Sequence, residues 1–470
     1  MAEGGEEEDF CENYFLLKVE EASFLDFVRI LWCNDLGQRN FFKAKKTAAS
    51  GKLRSFRHRW IVFISLLLQK ILLYLKKPMA AAGSALEMFL NFPAFNGGYL
   101  SLFSNLFTGR LVRPDKESER FASLVGNLDK RLNLDTKMVV REEYFAALAM
   151  MGAKLSYENQ SFVQKVVSNR WQMELLGFYN FWNDFQELNT TSAIMFRDTT
   201  ADPNLIVVAF RGTQPFAADD WRTDVDISWY EFKDVGRIHG GFMKALGLQK
   251  STGWPEQIPP PPPSPPPPKS YAYYTLRDKL KTLIDENENA KFILTGHSLG
   301  GAMAVLFAAV LTIHRQDLML EKLEGVYTFG QPRVGDDEFG HYIKRKFKTY
   351  NVNYNRYVYC NDVVPRLPYD DKVFFFKHFG PCLYFNSQYK GQVLEEEPNK
   401  NYFSPIQAIP KIINAGYELI RSFVLPWMKG EEYREEWLMK VFRLTALVFP
   451  GLTDHFVVDY VNLTRLGKFT

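Results

Sequence analysis

Ser298 lies in Gly296-His297-Ser298-Leu299-Gly300, between an apolar β-type run, Phe292 to Thr295, and a helix-prone stretch, Ala302 to Ile313. A serine hydroxyl becomes a strong nucleophile only when a base takes its proton and when charge on the attacked group is stabilised. A strand, a tight turn and a helix supply the setting, because the strained turn leaves no room for a β-carbon at either glycine. The helix beginning behind the serine then aims its free N–H groups and positive dipole end at the reacting carbonyl. Ordinary turns also match the bare five-residue pattern, so the flanking strand and helix are what point to a serine hydrolase. In this arrangement the backbone N–H of Leu299, the residue after the nucleophile, is one oxyanion donor.

An acid and a histidine must follow the serine, in that order. The chain has seven histidines. His58 and His239 precede Ser298, His297 sits inside the turn with its side chain expected to point away, and His314 ends the following helix. The acids after the next strand, Val326 to Gly330, are Asp336, Asp337 and Asp362. Asp362 is the best placed, because it ends the strand-like run Asn355 to Cys360, and functional acids on open α/β sheets sit at carboxyl ends of strands. His378 and His455 then remain as candidate bases.

Further segments occur in order along the chain: Phe210-Arg211-Gly212-Thr213, Ile238-His239-Gly240-Gly241-Phe242, Tyr327-Thr328-Phe329-Gly330-Gln331-Pro332-Arg333-Val334-Gly335 and Asn361-Asp362-Val363-Val364-Pro365-Arg366-Leu367-Pro368. With the serine motif they resemble the class 3 lipases, the family of the filamentous-fungal triacylglycerol lipases. The long amino-terminal extension and the segment before His455 resemble the plant oil-body members. The resemblance implies an α/β-hydrolase with a mainly parallel central sheet. It implies that His455, followed by Phe456, is the base and that His378 is structural. It also implies that Thr213 is the second oxyanion donor, after the buried-strand run Leu205 to Phe210, and that Arg211 is a structural ion-pair residue. The stretch from Gln214 to Asp224 corresponds to the lid of the fungal relatives, but is short and largely acidic after Phe216. Trp221 is expected to pack rather than to anchor lipid.

The elements that must position these groups span most of 470 residues, enough for one large core or two modest ones. The formal charge of +3 is too near balance to suggest nucleic acid. Four cysteines, Cys11, Cys33, Cys360 and Cys382, make no disulfide framework in a chain of this length. The acidic start, Met1 to Asp9, lacks the basic and apolar pattern of a secretory signal, so a non-secreted, cytoplasmic-side protein is expected. No metal-ligand cluster, phosphate loop or dinucleotide fingerprint appears, and no cofactor is expected.

The expected division is an acidic segment 1–42, a basic and hydrophobic lipid-associating region 43–109, and the hydrolase domain 110–470. That domain carries a proline-rich loop at 255–268 and a helical insert at 400–450. In the second region a basic run (Lys43, Lys45, Lys46, Lys52, Arg54, Arg57, Arg59) precedes the apolar stretch Trp60 to Leu75, which Lys76-Lys77-Pro78 closes. Those 16 residues would span ~24 Å as a helix, short of the ~30 Å bilayer core. Met79 to Thr108 adds a weakly polar stretch broken by Pro93, Gly97 and Gly98. A buried cap and a spanning helix are alternatives, and a monotopic element in a lipid surface is favoured.

Pro259 to Pro268 reads as a stiff spacer, and Tyr271 to Glu286 as an amphipathic helix packed on the sheet. In the insert, Ile406 to Phe423 recur at helical spacing up to Leu425-Pro426-Trp427, and Trp437 to Phe449 resumes. These helices could be a flap, an acyl-chain pocket or a second lipid contact. The expected activity is hydrolysis of triacylglycerol at a lipid-droplet surface through an acyl-enzyme on Ser298. A membrane phospholipase A1 or galactolipase is the same-class alternative, and a non-catalytic droplet coat protein the different-class one.

Overall fold

The computed structural model describes all residues except 1–9, 33–39, 45–54, 135–140, 201–203, 250–251, 259–268, 371–375, 401, 403–404 and 470. Most of the acidic start, the basic residues Lys45, Lys46, Lys52 and Arg54, Cys33 and the run Pro259 to Pro268 lie outside the described residues.

Thirteen strands are described: β1 (Asn13–Leu17), β2 (Phe42–Ala44), β3 (Glu174–Asn183), β4 (Leu188–Asp198), β5 (Leu205–Phe210), β6 (Trp229–Phe232), β7 (Gly236–His239), β8 (Lys291–His297), β9 (Leu323–Phe329), β10 (Asn353–Tyr359), β11 (Cys382–Phe385), β12 (Lys390–Leu394) and β13 (Lys468–Phe469). Nine form one sheet in the order β13-β12-β11-β10-β9-β8-β5-β4-β3. Its centre, from β5 through β8, β9 and β10 to β11, is parallel. β5 is buried at every residue, as a strand covered on both faces must be. Alternate side chains divide between the faces. Ile206, Val208 and Phe210 pack with the helix Leu299–Ile313, and Val207 and Ala209 with the helix Arg141–Leu155. This is an α/β-hydrolase sheet with helices on both sides.

The remaining strands make an antiparallel sheet, β2-β1-β6-β7. The amino-terminal segment is therefore woven into the hydrolase: Asn13, Tyr14 and Phe15 pair with Glu231, Tyr230 and Trp229.

A 40-residue helix, Phe56–Phe95, crosses this region, and it runs straight through Lys76-Lys77-Pro78. At ~1.5 Å per residue it is ~60 Å long. Tertiary contacts on both sides of Pro78 override the local break. The Ser65 hydroxyl donates to the Val225 carbonyl at 2.7 Å, and Lys76 Nζ lies 2.6 Å from Asp219. Gly83 passes so close to Phe216 that a β-carbon there would overlap the ring. The helix is long and apolar enough to cross a membrane, and only 22% of its apolar window is buried. A second helix, Tyr99–Phe107, follows after Gly97 and Gly98, with no buried residue.

In the insert, the helix Ala408–Lys429 likewise continues past the expected stop at Leu425-Pro426-Trp427. The helix Trp437–Thr445 follows it. The helix behind Ser298 begins at Leu299, earlier than Ala302.

Candidate active site

β8 ends at His297, and the backbone turns at Ser298, whose φ of 59° and ψ of −130° place it in a conformation few side chains adopt. The two flanking glycines make that turn possible. A β-carbon on Gly296 would overlap the Gly300 carbonyl, and one on Gly300 would overlap the Phe210 carbonyl at the end of β5. The Ser298 N–H donates to the Phe329 carbonyl at 2.8 Å, which fixes the turn against β9. Leu299 opens the helix, so its N–H is among those that no helical carbonyl can satisfy.

Ser298 Oγ lies 2.8 Å from His455 Nε2, and His455 Nδ1 lies 3.0 and 2.9 Å from the two Asp362 carboxylate oxygens. The three come from separate parts of the chain: the β8 turn, the loop after β10 and a short turn, Thr453–His455, ahead of the helix Val457–Leu466. Asp362 is fully buried. It also accepts the Val364 N–H at 2.9 Å and the Tyr460 hydroxyl at 2.5 Å, so its oxygens are oriented from several sides. Burial and the neighbouring Asp362 push the Tyr460 phenol well above its usual range, leaving it a proton donor to the carboxylate.

His378 is elsewhere: its Nε2 bonds the Pro365 carbonyl at 2.6 Å, and burial holds it well below the usual histidine range. Asp336 caps the helix Asp337–Thr349 through the Phe339 N–H, and Asp337 pairs with Lys377. Neither reaches the serine.

Against this geometry stand the comparisons. Residues 207–372 match the family model described as lipase (class 3). A triacylglycerol lipase OBL1 of Nicotiana tabacum is 41% identical over 87% of this chain and 84% of its own. The protein of the same name from Ricinus communis is 35% identical over 97% and 95%. The chain belongs to the class 3 lipase family. A phospholipase A1-IIbeta of Arabidopsis thaliana is 27% identical over 43% of this chain and 48% of its own. A solved structure of Rhizomucor miehei triacylglyceride lipase covers 58% of this chain and 91% of its own, at 20% identity and a TM-score of 0.42.

In this class 3 lipase the stretch from Gln214 to Asp224 carries a short helix, Ala218–Val225, beside the Arg211-Gly212-Thr213 loop. The loop itself grazes the serine: a β-carbon on Gly212 would overlap the His297 carbonyl and lie 3.2 Å from Ser298 Cβ. The Thr213 hydroxyl donates to Asp224 of the lid helix at 2.6 Å. Burial pushes that carboxyl up to about 8, against the lowering effect of the Thr213 bond. Arg211 donates to the Thr190 carbonyl at 2.8 Å and, among the described residues, closes no ion pair, which corrects the role expected of it. Trp221 is half-buried, its indole N–H bonded to the Pro215 carbonyl. An apolar groove of about 530 Å³ runs beside the lid helix, between Trp60, Ile64 and Leu68 of the long helix and Ile227, Leu367 and Pro368, with Asp224 at one edge.

Three further contributors escaped the sequence reading. Gly330, at φ 60°, gives the acid and base room, since a β-carbon there would lie 2.9 Å from Asp362 and 3.0 Å from His455. His297 points away from Ser298, as expected, but its Nε2 bonds the His455 carbonyl at 2.7 Å and its ring packs 4.6 Å from the His455 ring. Burial and that neighbour depress His297 well below the usual range, so it stays neutral beside His455. Tyr157, from outside the family match, bonds His297 Nδ1 at 3.0 Å. Gly330 and His297 lay within quoted motifs, and Tyr157 did not. His297 and Tyr157 act through contacts that no spacing encodes.

Cys360, Glu418 and Asp454 also converge, their ligand atoms within 4.8 Å of one another. Glu418 is already bonded to Tyr359 and Arg443, and burial raises the Cys360 thiol and the Asp454 carboxyl far above their usual ranges. A neutral Asp454 carboxyl and a neutral Cys360 thiol suit hydrogen bonding better than a cation.

Proposed function

We propose that this class 3 lipase hydrolyses triacylglycerol at a lipid-droplet surface, through a triad of Ser298, His455 and Asp362. The unbroken hydrogen-bond chain from Ser298 Oγ through His455 to Asp362 carries the reading. Ser298 Oγ attacks the ester carbonyl while His455 Nε2 takes its proton. Asp362 holds the Nδ1–H tautomer and stabilises the imidazolium. The tetrahedral oxyanion accepts from the Leu299 N–H and from Thr213. His455 then protonates the departing alcohol, leaving an acyl-enzyme on Ser298, and water activated by His455 releases the fatty acid.

The apolar groove along the long helix, with Asp224 and Val225 in its lining, offers an acyl chain a dry seat. The droplet contact falls to residues 43–109. There the helix Tyr99–Phe107 exposes Leu100 and Phe107, and most of the long helix's apolar window lies outside the core. The names of the plant relatives agree with this substrate and suggest oil-body association. The phospholipase A1 likeness, over less than half of this chain, keeps polar lipids as the competing substrate.

The test is acyl release by wild type and Ser298→Ala from triacylglycerol emulsion and from phospholipid and galactolipid vesicles. Serine-dependent release from the emulsion is expected. Release confined to the vesicles would move the enzyme to the polar-lipid hydrolases, and no serine-dependent release would leave a coat protein.

A further inference from the structure

The insert helix Ala408–Lys429 is built inside out. Its charged residues short of the last, Lys411, Glu418 and Arg421, are buried. Ile409, Ile413, Tyr417, Ile420, Phe423 and Trp427 point into solvent, Trp427 with 91% of its surface exposed. A helix on a protein surface in water does the reverse.

Glu418 and Arg421 close ion pairs inside the fold, and Lys411 donates to the Tyr402 carbonyl. Arg443, from the next helix, lies 3.0 Å from Glu418, 2.7 Å from Glu435 and 2.8 Å from Asp459, and Arg421 lies 2.9 Å from Asp459. A buried network of this kind is no more stabilising than apolar packing of the same volume. What it achieves is an outer face with no charge before Lys429.

The next helix extends that face with Trp437, Val441 and Leu444, and Val448 and Phe449 follow. The face then runs into a cluster beside the site. Phe442 packs edge-on against Phe456, which follows His455, at 5.4 Å, and this cluster includes Leu86 and Leu90 of the long helix and Phe216 of the lid loop. The apolar surfaces of the insert and of the long helix thus meet beside the base.

We propose that the outer face of residues 406–449 is a second docking surface, and that its occupant is the phospholipid-coated surface of a neutral-lipid droplet. The proposal rests on the lipase reading above. A protein partner would ask for hydrogen-bonding groups across its interface, about one per 100–200 Å². The helix Ala408–Lys429 offers little beyond the Tyr417 hydroxyl, the Trp427 indole and Asn414. A lipid boundary asks for an uncharged face with aromatic rings and cations at its rim. Lys429 ends the helix, and the Lys440 ammonium stands 4.7 Å over the Phe423 ring. A 22-residue helix lying flat would engage ~33 Å of surface.

The test uses the full chain with its long helix intact. Wild type and the double variant Ile413→Glu/Ile420→Glu are floated with triolein droplets coated with phosphatidylcholine and phosphatidylinositol. Turnover of a short water-soluble ester and the melting temperature are read alongside. The double variant should bind droplets about tenfold or more weakly while its soluble-ester turnover and melting temperature hold. Should its melting temperature fall, Ile413→Ser/Ile420→Ser is read in its place. Unchanged flotation would overturn the proposal, as would a wild-type dimer that the double variant breaks, since a second copy would then cover the face. Absence of soluble-ester turnover in wild type that still floats would count against the lipase reading and leave the docking surface standing.

Discussion

Two helices of this chain are about equally easy to recognise as apolar, and the fold treats them in opposite ways. Leu299–Ile313 contains no charged residue and is buried from Leu299 to Thr312 between β strands and neighbouring helices. Ala408–Lys429 carries its charges on one stripe and turns that stripe inward, leaving its apolar stripe outside. Apolar content therefore marks a helix as apolar, but does not say which of its stripes turns inward. The partners waiting for the charged stripe decide that, here Arg443, Glu435 and Asp459. Around Ser298 the contacts are dictated to within tenths of an ångström by backbone crowding, whereas the insert is held by side-chain charges and exposes what it does not use.

The contrast breaks most sharply at the base. His455→Ala should lower turnover by about 10⁴-fold or more on soluble and emulsified esters alike. His378→Ala should act through stability, with a lower melting temperature. A comparable turnover loss in a folded His378→Ala protein would reverse the assignment.

In the insert, Arg443→Ala removes the cation shared by Glu418, Glu435 and Asp459, leaving Arg421 as their cation, and should cost about 3–5 kcal/mol. The readout is the denaturation midpoint. A shift below about 1 kcal/mol would mean the network does not hold the helices.

On the proposed oxyanion role of Thr213, Thr213→Ala, which removes the hydroxyl that donates to Asp224, should lower turnover by about 10²–10³. An unchanged KM would place the loss in the transition state. A loss carried by KM alone would make Thr213 a substrate-binding residue instead.

Asp224 gives the lid a pH signature. Its carboxyl is pushed up to about 8 in the folded chain, against about 4 when unfolded. Between those values the native state holds a proton that the unfolded state has lost, so stability falls as pH rises through this window. Asp224→Asn should flatten that fall by up to about 1 kcal/mol per pH unit. Melting curves at pH 6 and pH 8 read it, and parallel slopes in both proteins would assign the proton elsewhere.

The smallest effect has the opposite sign. Nothing lies within 4 Å of a β-carbon built on Gly416 in the insert helix. Gly416→Ala should therefore stabilise by about 0.5–1 kcal/mol, while Gly296→Ala and Gly300→Ala should not fold normally. Equal destabilisation at all three would show that the insert is as tightly packed as the serine turn.

Much of the site was legible because it is local. The strand, the two glycines, the serine and the following helix are contiguous, and their spacing states a steric requirement that backbone geometry imposes. Asp362 was legible as a residue at a strand end. His455 could be chosen over His378 only by family resemblance, since 93 residues of chain separate it from Asp362 and nothing in its own surroundings marks it. The long helix was misread at Pro78 because a local breaking tendency of a few kcal/mol is outweighed by contacts with Val225, Asp219 and Phe216 that lie far away in sequence.

By itself, then, the sequence determined the chemistry available: a strained serine on an apolar parallel sheet, an acid after a later strand, and helices with long apolar stripes. Only the tertiary structure decided which histidine meets the serine, that Gly330 makes room beside it, and which face of each helix turns outward. Those outcomes depend on packing and charge pairing between segments tens to hundreds of residues apart, and such energies have no period or spacing to leave in the chain.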